Sequence, residues 1–135
     1  MEHYFLPEDI KVYCVTADSF PNGVLAAHQK LHTLLPFSAE RKYFGLSRPE
    51  QGTIEYHAAA EELIPGELSG KGLMEMIIRK GNYNTITVTD YMKNTAAIGE
   101  AFQLLISEPD IDPQGYCVEW YVTQQSVRCM VRLQS

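Results

Sequence analysis

The sequence lacks the features that would assign it to several large functional classes. It contains no CxxC pair, no HExxH motif and no glycine pattern of the phosphate-binding type. No apolar run approaches the roughly 20 residues that span a bilayer, and we expect no signal peptide in the first residues. Basic residues are scattered, and the net charge is −6. We therefore expect a cytoplasmic protein with no metal site, no cofactor, no membrane association and no direct nucleic-acid binding.

Cysteine is also scarce. Cys14, Cys117 and Cys129 are an odd number without the spacing of a disulfide framework, which argues against a secreted disulfide scaffold. We expect all three to be buried and to pack as small apolar side chains.

What the chain does contain is an ordinary globular composition, 45% hydrophobic and 21% charged over 135 residues. This length fits a single domain over residues 1–135 that needs no disulfide or metal to fold. Periodicity predicts two similar halves, at about residues 8–66 and 70–135, joined by a connector rich in glycine and proline.

Each half is predicted to contain a strand, a helix and two further strands. Strands are predicted at 11–16, 43–47, 53–60, 73–79, 116–122 and 126–133, and helices at 24–35 and 90–106, with a turn at 81–84. We predict an α+β fold in which duplicated βαββ units form one antiparallel sheet. The two helices would cover one face, and the other face would hold a ligand groove.

The strand at 116–122 carries the most informative residues. Alternation places Val118, Trp120 and Val122 on one face, which we expect to pack on the helices. Glu119 and Tyr121 then share the opposite face. A carboxylate beside a phenol suits a cationic, partly apolar ligand, because the charges neutralise each other and the ring adds cation–π attraction. The alternative is a solvated Glu119 that pairs with a neighbouring strand.

The strand at 53–60 is a second candidate. It would place Tyr56 and His57 on opposite faces, next to alanines that leave room for a ligand. The alternative is a helix that starts at Ala58, since the following residues have high helix propensity.

Other catalytic patterns are weak. His28 and His32 share a helix face but lack a third metal ligand, so we expect them to be structural. Ser47 lacks the second glycine of a nucleophile elbow. Glu55, Glu61 and Glu119 would form an acid–base pair only if the strands bring them together.

Three short motifs resemble the GyrI-like small-molecule-binding domains. They are Phe20-Pro21-Asn22-Gly23 before a helix with Ala27 and Leu31, then Tyr43-Phe44-Gly45-Leu46-Ser47 followed by Ile54-Glu55-Tyr56-His57-Ala58, and finally Val118-Glu119-Trp120-Tyr121. The resemblance implies a ligand groove between two βαββ halves, with Glu119 at the position of a pocket carboxylate for cationic aromatic ligands. Trp120 departs from the usual aliphatic residue, and the glycine-rich loop after the first hairpin is a further departure.

In that family the domain serves as the effector-binding half of AraC-type or MerR-type transcription regulators, and it also occurs alone. We therefore expect a stand-alone protein that binds a lipophilic, cationic or aromatic compound, as a regulator or by sequestering a drug or toxin. The candidate ligand-binding residues are Glu119, Tyr121, Tyr56, Trp120 and His57.

Two alternatives follow from the same residues. Some stand-alone members are similar to hydrolases that open strained cyclopropane rings, in which case Glu119 and Tyr121 would be catalytic. The other alternative is a protein-interaction or inhibitor module whose acidic surface binds a basic partner, or a homodimer formed through an open edge strand.

Overall fold

The computed structural model describes residues 1–134 as eight β-strands and two α-helices. The strands are β1 (Glu2–Leu6), β2 (Ile10–Thr16), β3 (Tyr43–Glu50), β4 (Thr53–Glu61), β5 (Met74–Ile78), β6 (Gly81–Thr89), β7 (Cys117–Tyr121) and β8 (Ser126–Arg132). The helices are α1 (Val24–Leu34) and α2 (Ala96–Ile106). Within residues 1–134, neither helix has the length and apolar character that a membrane crossing requires.

All eight strands form one antiparallel sheet in the order β1-β6-β8-β7-β3-β4-β2-β5. The units β2-α1-β3-β4 and β6-α2-β7-β8 repeat one order of elements, and they meet where β3 pairs with β7. Gly45 lies opposite Glu119 in this central pairing, and Ala58 of β4 lies on the other side of Gly45. The predicted α+β fold with one antiparallel sheet is therefore confirmed.

The outermost strands are exchanged between the two units. β1 precedes β2 in the chain but pairs with β6, and β5 precedes β6 but pairs with β2. Only residues 7–9 connect β1 to β2, and only residues 79–80 connect β5 to β6. The sheet must therefore curl until its two ends approach each other. The Lys80 backbone N–H donates to the Asp9 carboxylate at 2.7 Å and ties the two connections together.

Apolar side chains from both units fill the inside of this curl. Residues from the strands near its two ends belong to the same cluster as residues from the central strands. The cluster consists of Leu6, Val12, Cys14, Phe44, Leu46, Ala59, Ile78, Tyr83, Val118 and Met130. The face of the sheet that points away from the helices is thus packed with core side chains, where the sequence had predicted a groove.

The helices pack on the outer face of the sheet, each over its own unit. Ala27 and Leu31 of α1 pack with a cluster that includes Ala58 and Ala60 of β4. Ala101 and Leu105 of α2 occupy the matching positions over β8. Small alanines let each helix approach the sheet closely, and both leucines are completely buried. Truncation of either leucine to alanine is expected to cost about 2–5 kcal/mol.

Two strands were not predicted from the sequence. β1 was not recognised, and residues 81–84, predicted as a turn, are the start of β6. Gly81 has a φ of 133°, which favours glycine, but the residues after it are extended. The second helix begins at Ala96, because residues 85–89 continue β6 and Asp90 adopts a φ of 51° at the turn that follows. The strand predicted at 73–79 is β5, which joins β2 of the other unit.

Candidate functional site

Glu119 lies at the centre of the sheet, on the face that carries the helices. It is 9% exposed, and its neighbour Val118 points into the inside of the curl. Trp120 also packs against the inner cluster. The alternation along β7 agrees with the prediction, but the expectation that Val118 and Trp120 pack on the helices is wrong. The carboxylate is therefore enclosed between the sheet and the helices, and is not on an open sheet face.

Two tyrosine hydroxyls hold the Glu119 carboxylate. The Tyr56 hydroxyl donates to Glu119 Oε1 at 2.9 Å. The Tyr121 hydroxyl, two residues along β7, donates to the same oxygen, and the two phenol oxygens are 3.2 Å apart. Hydrogen bonds to an ionised acceptor are stronger than those between neutral groups. We call Glu119, Tyr56, Tyr121 and His28 the carboxylate cluster.

Gly45 makes the carboxylate cluster possible. It separates Tyr56 on β4 from Glu119 on β7, and a side chain here would occupy the space of both. A Cβ atom at this position would lie 2.6 Å from Glu119 Oε1 and 2.7 Å from the Tyr56 ring carbon that bears the hydroxyl. Glycine in a central strand marks such close approaches. The absence of a side chain at Gly45 therefore lets the Tyr56 phenol cross β3 to reach the carboxylate.

The helix α1 adds His28 to the carboxylate cluster. Its Nε2 lies 2.8 Å from the Tyr56 hydroxyl oxygen, and its ring packs edge-on against Tyr121 at 5.4 Å. When Tyr56 donates its proton to Glu119, His28 must carry a proton on Nε2 and donate it to Tyr56. Burial, together with the nearby His32, lowers the pKa of His28 to about 4. His28 is thus a neutral donor at physiological pH.

Burial dominates the electrostatics of the cluster. Burial raises the pKa of Glu119, although the hydrogen bonds from Tyr121 and Tyr56 partly oppose this shift. Burial and the Glu119 charge raise the pKa of both tyrosines, so these remain protonated donors. Among the ion pairs formed by residues 1–134, none involves Glu119. The site therefore contains a buried acid without a cationic partner.

Two further aromatic side chains extend the cluster on either side. The Phe20 ring lies 5.9 Å from the Tyr56 ring, and the Tyr91 ring lies 5.7 Å from the Tyr121 ring. Phe20 precedes α1, and Tyr91 follows β6. Phe20 is 41% exposed and Tyr91 is partly exposed, so each phenol that holds the carboxylate contacts an aromatic ring that reaches the surface.

The other two predicted ligand-binding residues, Trp120 and His57, lie on the opposite face of the sheet. Trp120 packs near Phe44, with the Arg128 guanidinium 4.9 Å from its ring centre. His57 Nδ1 lies 2.9 Å from the Thr16 hydroxyl, and its Nε2 lies 2.8 Å from Glu55 Oε1. The structure therefore brings together Glu119, Tyr121 and Tyr56, and places Trp120 and His57 elsewhere.

The acid–base pair considered among Glu55, Glu61 and Glu119 does not form. Glu55 contacts His57, and Glu61 lies 3.6 Å from the Lys42 ammonium group. Both carboxylates belong to β4 positions that alternate with Tyr56, so they point away from Glu119.

Four residues of the site were not proposed for it from the sequence: Gly45, His28, Tyr91 and Phe20. A glycine inside a strand pattern was the available signal for Gly45. His28 was considered only as a structural residue or a metal ligand, because its neighbour across the fold, Tyr56, is 28 residues away in the chain. Tyr91 was predicted to lie in a helix, and nothing in the local pattern places it beside Tyr121.

Comparison with known proteins identifies the fold but no family. No protein-family model and no curated protein matches the chain. An integron cassette protein from the mobile metagenome of Vibrio cholerae is similar in structure, with a TM-score of 0.69 and 15% identity over 99% of this chain and 100% of its own. A hydrolase from Listeria innocua has a TM-score of 0.57 and 9% identity, covering 98% of this chain and 90% of its own.

A third similar structure is an uncharacterised conserved protein from Listeria innocua, with a TM-score of 0.54 and 10% identity. The match covers 98% of this chain and 91% of the Listeria protein. At such identities, the three structures share with this chain the curled antiparallel sheet with two helices.

Proposed function

We propose that this protein binds a lipophilic cation, with Glu119 as the counter-ion. The observation that carries the proposal is a carboxylate 9% exposed, held by two phenols and without a cationic partner among residues 1–134. A buried charge is costly unless it is paired. A ligand cation would supply the missing partner.

The aromatic rings around Glu119 support the same class of ligand. A cation within about 6 Å of a ring face gains about 0.5–2 kcal/mol from each such contact. Phe20 contacts the Tyr56 ring and Tyr91 contacts the Tyr121 ring, and the two phenol hydroxyls meet at the carboxylate. The overall charge of −6 adds a long-range preference for cations over anions.

Binding requires the phenols to move. In the closed arrangement both hydroxyls occupy the coordination space of Glu119 Oε1. A cation would take the place of one or both hydroxyls, and the displaced ring would line the ligand. Because the pKa of Glu119 is raised by burial, an arriving cation also favours release of any proton that the carboxyl carries. Affinity for a permanent cation should therefore increase with pH.

In this proposal the protein is an effector-binding or sequestering module. The resemblance of its motifs to GyrI-like domains supports that role, and the similar structures are compatible with it. The carboxylate cluster would report or retain the ligand, and any regulatory output would come through another component that responds to the bound form.

A thermal-shift titration tests the proposal. We would compare benzyltrimethylammonium with its neutral isostere neopentylbenzene, using wild type, Glu119→Gln and the exposed control Glu8→Gln. A ligand at 100 times its Kd raises the free energy of unfolding by about 2.7 kcal/mol, which raises the melting temperature by several degrees. The cation should stabilise wild type and Glu8→Gln but not Glu119→Gln, and the neutral compound should stabilise none. Equal shifts with the neutral compound would contradict the proposal.

A hydrolase is the second candidate, because a buried carboxyl with a raised pKa and two adjacent phenols suits general acid–base catalysis. One similar structure is described as a hydrolase. Incubation with a cyclopropane-containing electrophile and mass spectrometry of the products tests this. Ring opening that disappears in Glu119→Gln would favour the hydrolase, and equal product with both proteins would exclude it.

A further inference from the structure

Two surface depressions lie beside the carboxylate cluster. The Phe20 depression, of about 860 Å³, is lined by residues 17–20 and 50–55. The Tyr91 depression, of about 500 Å³, is lined by residues 90–93 and 124–125. Both volumes lie within the usual range of small-molecule sites, about 300–1,000 Å³.

Each depression contains one ring that contacts a phenol of the carboxylate cluster. Phe20 lines the first depression and packs against Tyr56. Tyr91 lines the second depression and packs against Tyr121. Because Tyr56 and Tyr121 both donate to Glu119 Oε1, the five side chains form one series of contacts that connects the two depressions through the carboxylate.

We propose that the Glu119 site opens at both depressions and takes an extended monocation, with one aromatic group on each side of the charged centre. This inference rests on the proposed function and specifies its ligand class. The cationic centre replaces the phenol hydroxyls at Glu119. One aromatic group then occupies the Phe20 depression, and the other occupies the Tyr91 depression.

This series of contacts favours a two-armed ligand over a compact one. A compact cation would displace the two hydroxyls but leave Phe20 and Tyr91 with only their present ring contacts. A ligand with an aromatic group on each side can place a ring against each of them, and an aromatic pair contributes about 0.5–1.5 kcal/mol beyond its buried area. Both arms also add buried apolar surface.

Two permanent cations that differ by one ring test the inference. Benzyltrimethylammonium has one aromatic arm, and dibenzyldimethylammonium has two. We would measure both dissociation constants by calorimetry for wild type, Phe20→Leu, Tyr91→Leu and Glu119→Gln. Leucine keeps apolar volume and lowers the risk of misfolding. Phe37→Leu is the control, since Phe37 is 70% exposed and stacks on Tyr43, outside both depressions.

The two-armed compound should bind wild type about tenfold more tightly than the one-armed compound, as one added arm is worth about 1.4 kcal/mol. Phe20→Leu and Tyr91→Leu should each weaken the binding of the two-armed compound several-fold. At most one of these substitutions should weaken the binding of the one-armed compound. Phe37→Leu should change the dissociation constant of neither compound.

Three results would overturn the inference. If both compounds bind wild type equally, or if the two-armed compound responds to only one of the two substitutions, the site has a single opening. The proposed function would survive either result, provided that binding is lost in Glu119→Gln. If neither compound binds in a way that depends on Glu119, both the inference and the proposed function fail.

Discussion

Tyr56 and Glu119 are hydrogen-bonded across an intervening strand, because Gly45 leaves the phenol free to pass over β3. The partners belong to different units of the fold, on β4 and β7. The carboxylate cluster is therefore a product of the joined sheet.

Replacement of Glu119 by glutamine should change how the stability of the protein depends on pH. Burial raises the pKa of Glu119, so its contribution to stability is present below the unfolded pKa of about 4.3 and is lost as pH rises through the folded pKa. Urea unfolding from about pH 4 to about pH 8 should therefore show that the free energy of unfolding of wild type falls relative to that of Glu119→Gln. Parallel pH profiles would contradict this.

His28 should give the opposite pH dependence. Its pKa falls to about 4 in the folded protein because burial disfavours the charged imidazolium. The neutral ring therefore contributes stability above the unfolded pKa of about 6.5, and that contribution is lost as pH falls toward 4. Compared with His28→Gln, wild type should lose about 2 kcal/mol between about pH 7 and about pH 4.5. The exposed His3→Gln control should retain the wild-type profile.

A single methyl group at position 45 should disrupt the carboxylate cluster. The new Cβ would overlap the Tyr56 hydroxyl and lie 2.6 Å from Glu119 Oε1. We expect Gly45→Ala to lower the free energy of unfolding by about 1–3 kcal/mol, as for other overpacked cores.

A double-mutant cycle with Tyr56→Ala isolates the overlap with the phenol, because Gly45→Ala should cost less when only the close approach to Glu119 Oε1 remains. Gly99→Ala on α2 is the matched control. Apart from the adjacent residues and the backbone of α2 itself, no atom lies within 4 Å of a Cβ at this position, so alanine should stabilise the protein slightly. A cost at Gly45 that is unchanged in the Tyr56→Ala background would rule out the proposed overlap.

The three cysteines should be unreactive in the folded protein. Burial raises the pKa of Cys14 and Cys129 to about 12 and that of Cys117 to about 11. The thiolate is the reactive form, so Ellman's reagent at pH 8 should label folded protein slowly and all three thiols at once in urea. Cys117, which is partly exposed, should react first among them. Rapid labelling of any one thiol in the folded state would contradict this expectation.

The sequence predicted the architecture more reliably than the orientation of its strands. Alternation correctly separated Glu119 and Tyr121 from Val118 and Trp120, and hydrophobic spacing placed α1 within one residue of its observed end. Which side of a strand meets the helices is a property of the assembled sheet. Val118 and Trp120 are apolar enough for either side, so local sequence could not decide.

The remaining failures share a physical cause. β6 begins with Gly81 and has two asparagines among its first residues, and these favour turns in isolation. Pairing with β1 and β8 along its length overrides that preference. The partnership of His28 with Tyr56 likewise depends on how α1 packs over β4, a contact between residues distant in the chain.

The exchange of β1 and β5 between the units connects each unit to the sheet of the other through an additional strand pairing. Separating the units would break the β1–β6 and β2–β5 pairings as well as the central β3–β7 pairing. Neither half can therefore open while the other stays intact, and we expect amide hydrogens of both halves to exchange through one shared opening event. A ligand held at the central strands would then slow exchange even in β1 and β5, at the far ends of the sheet.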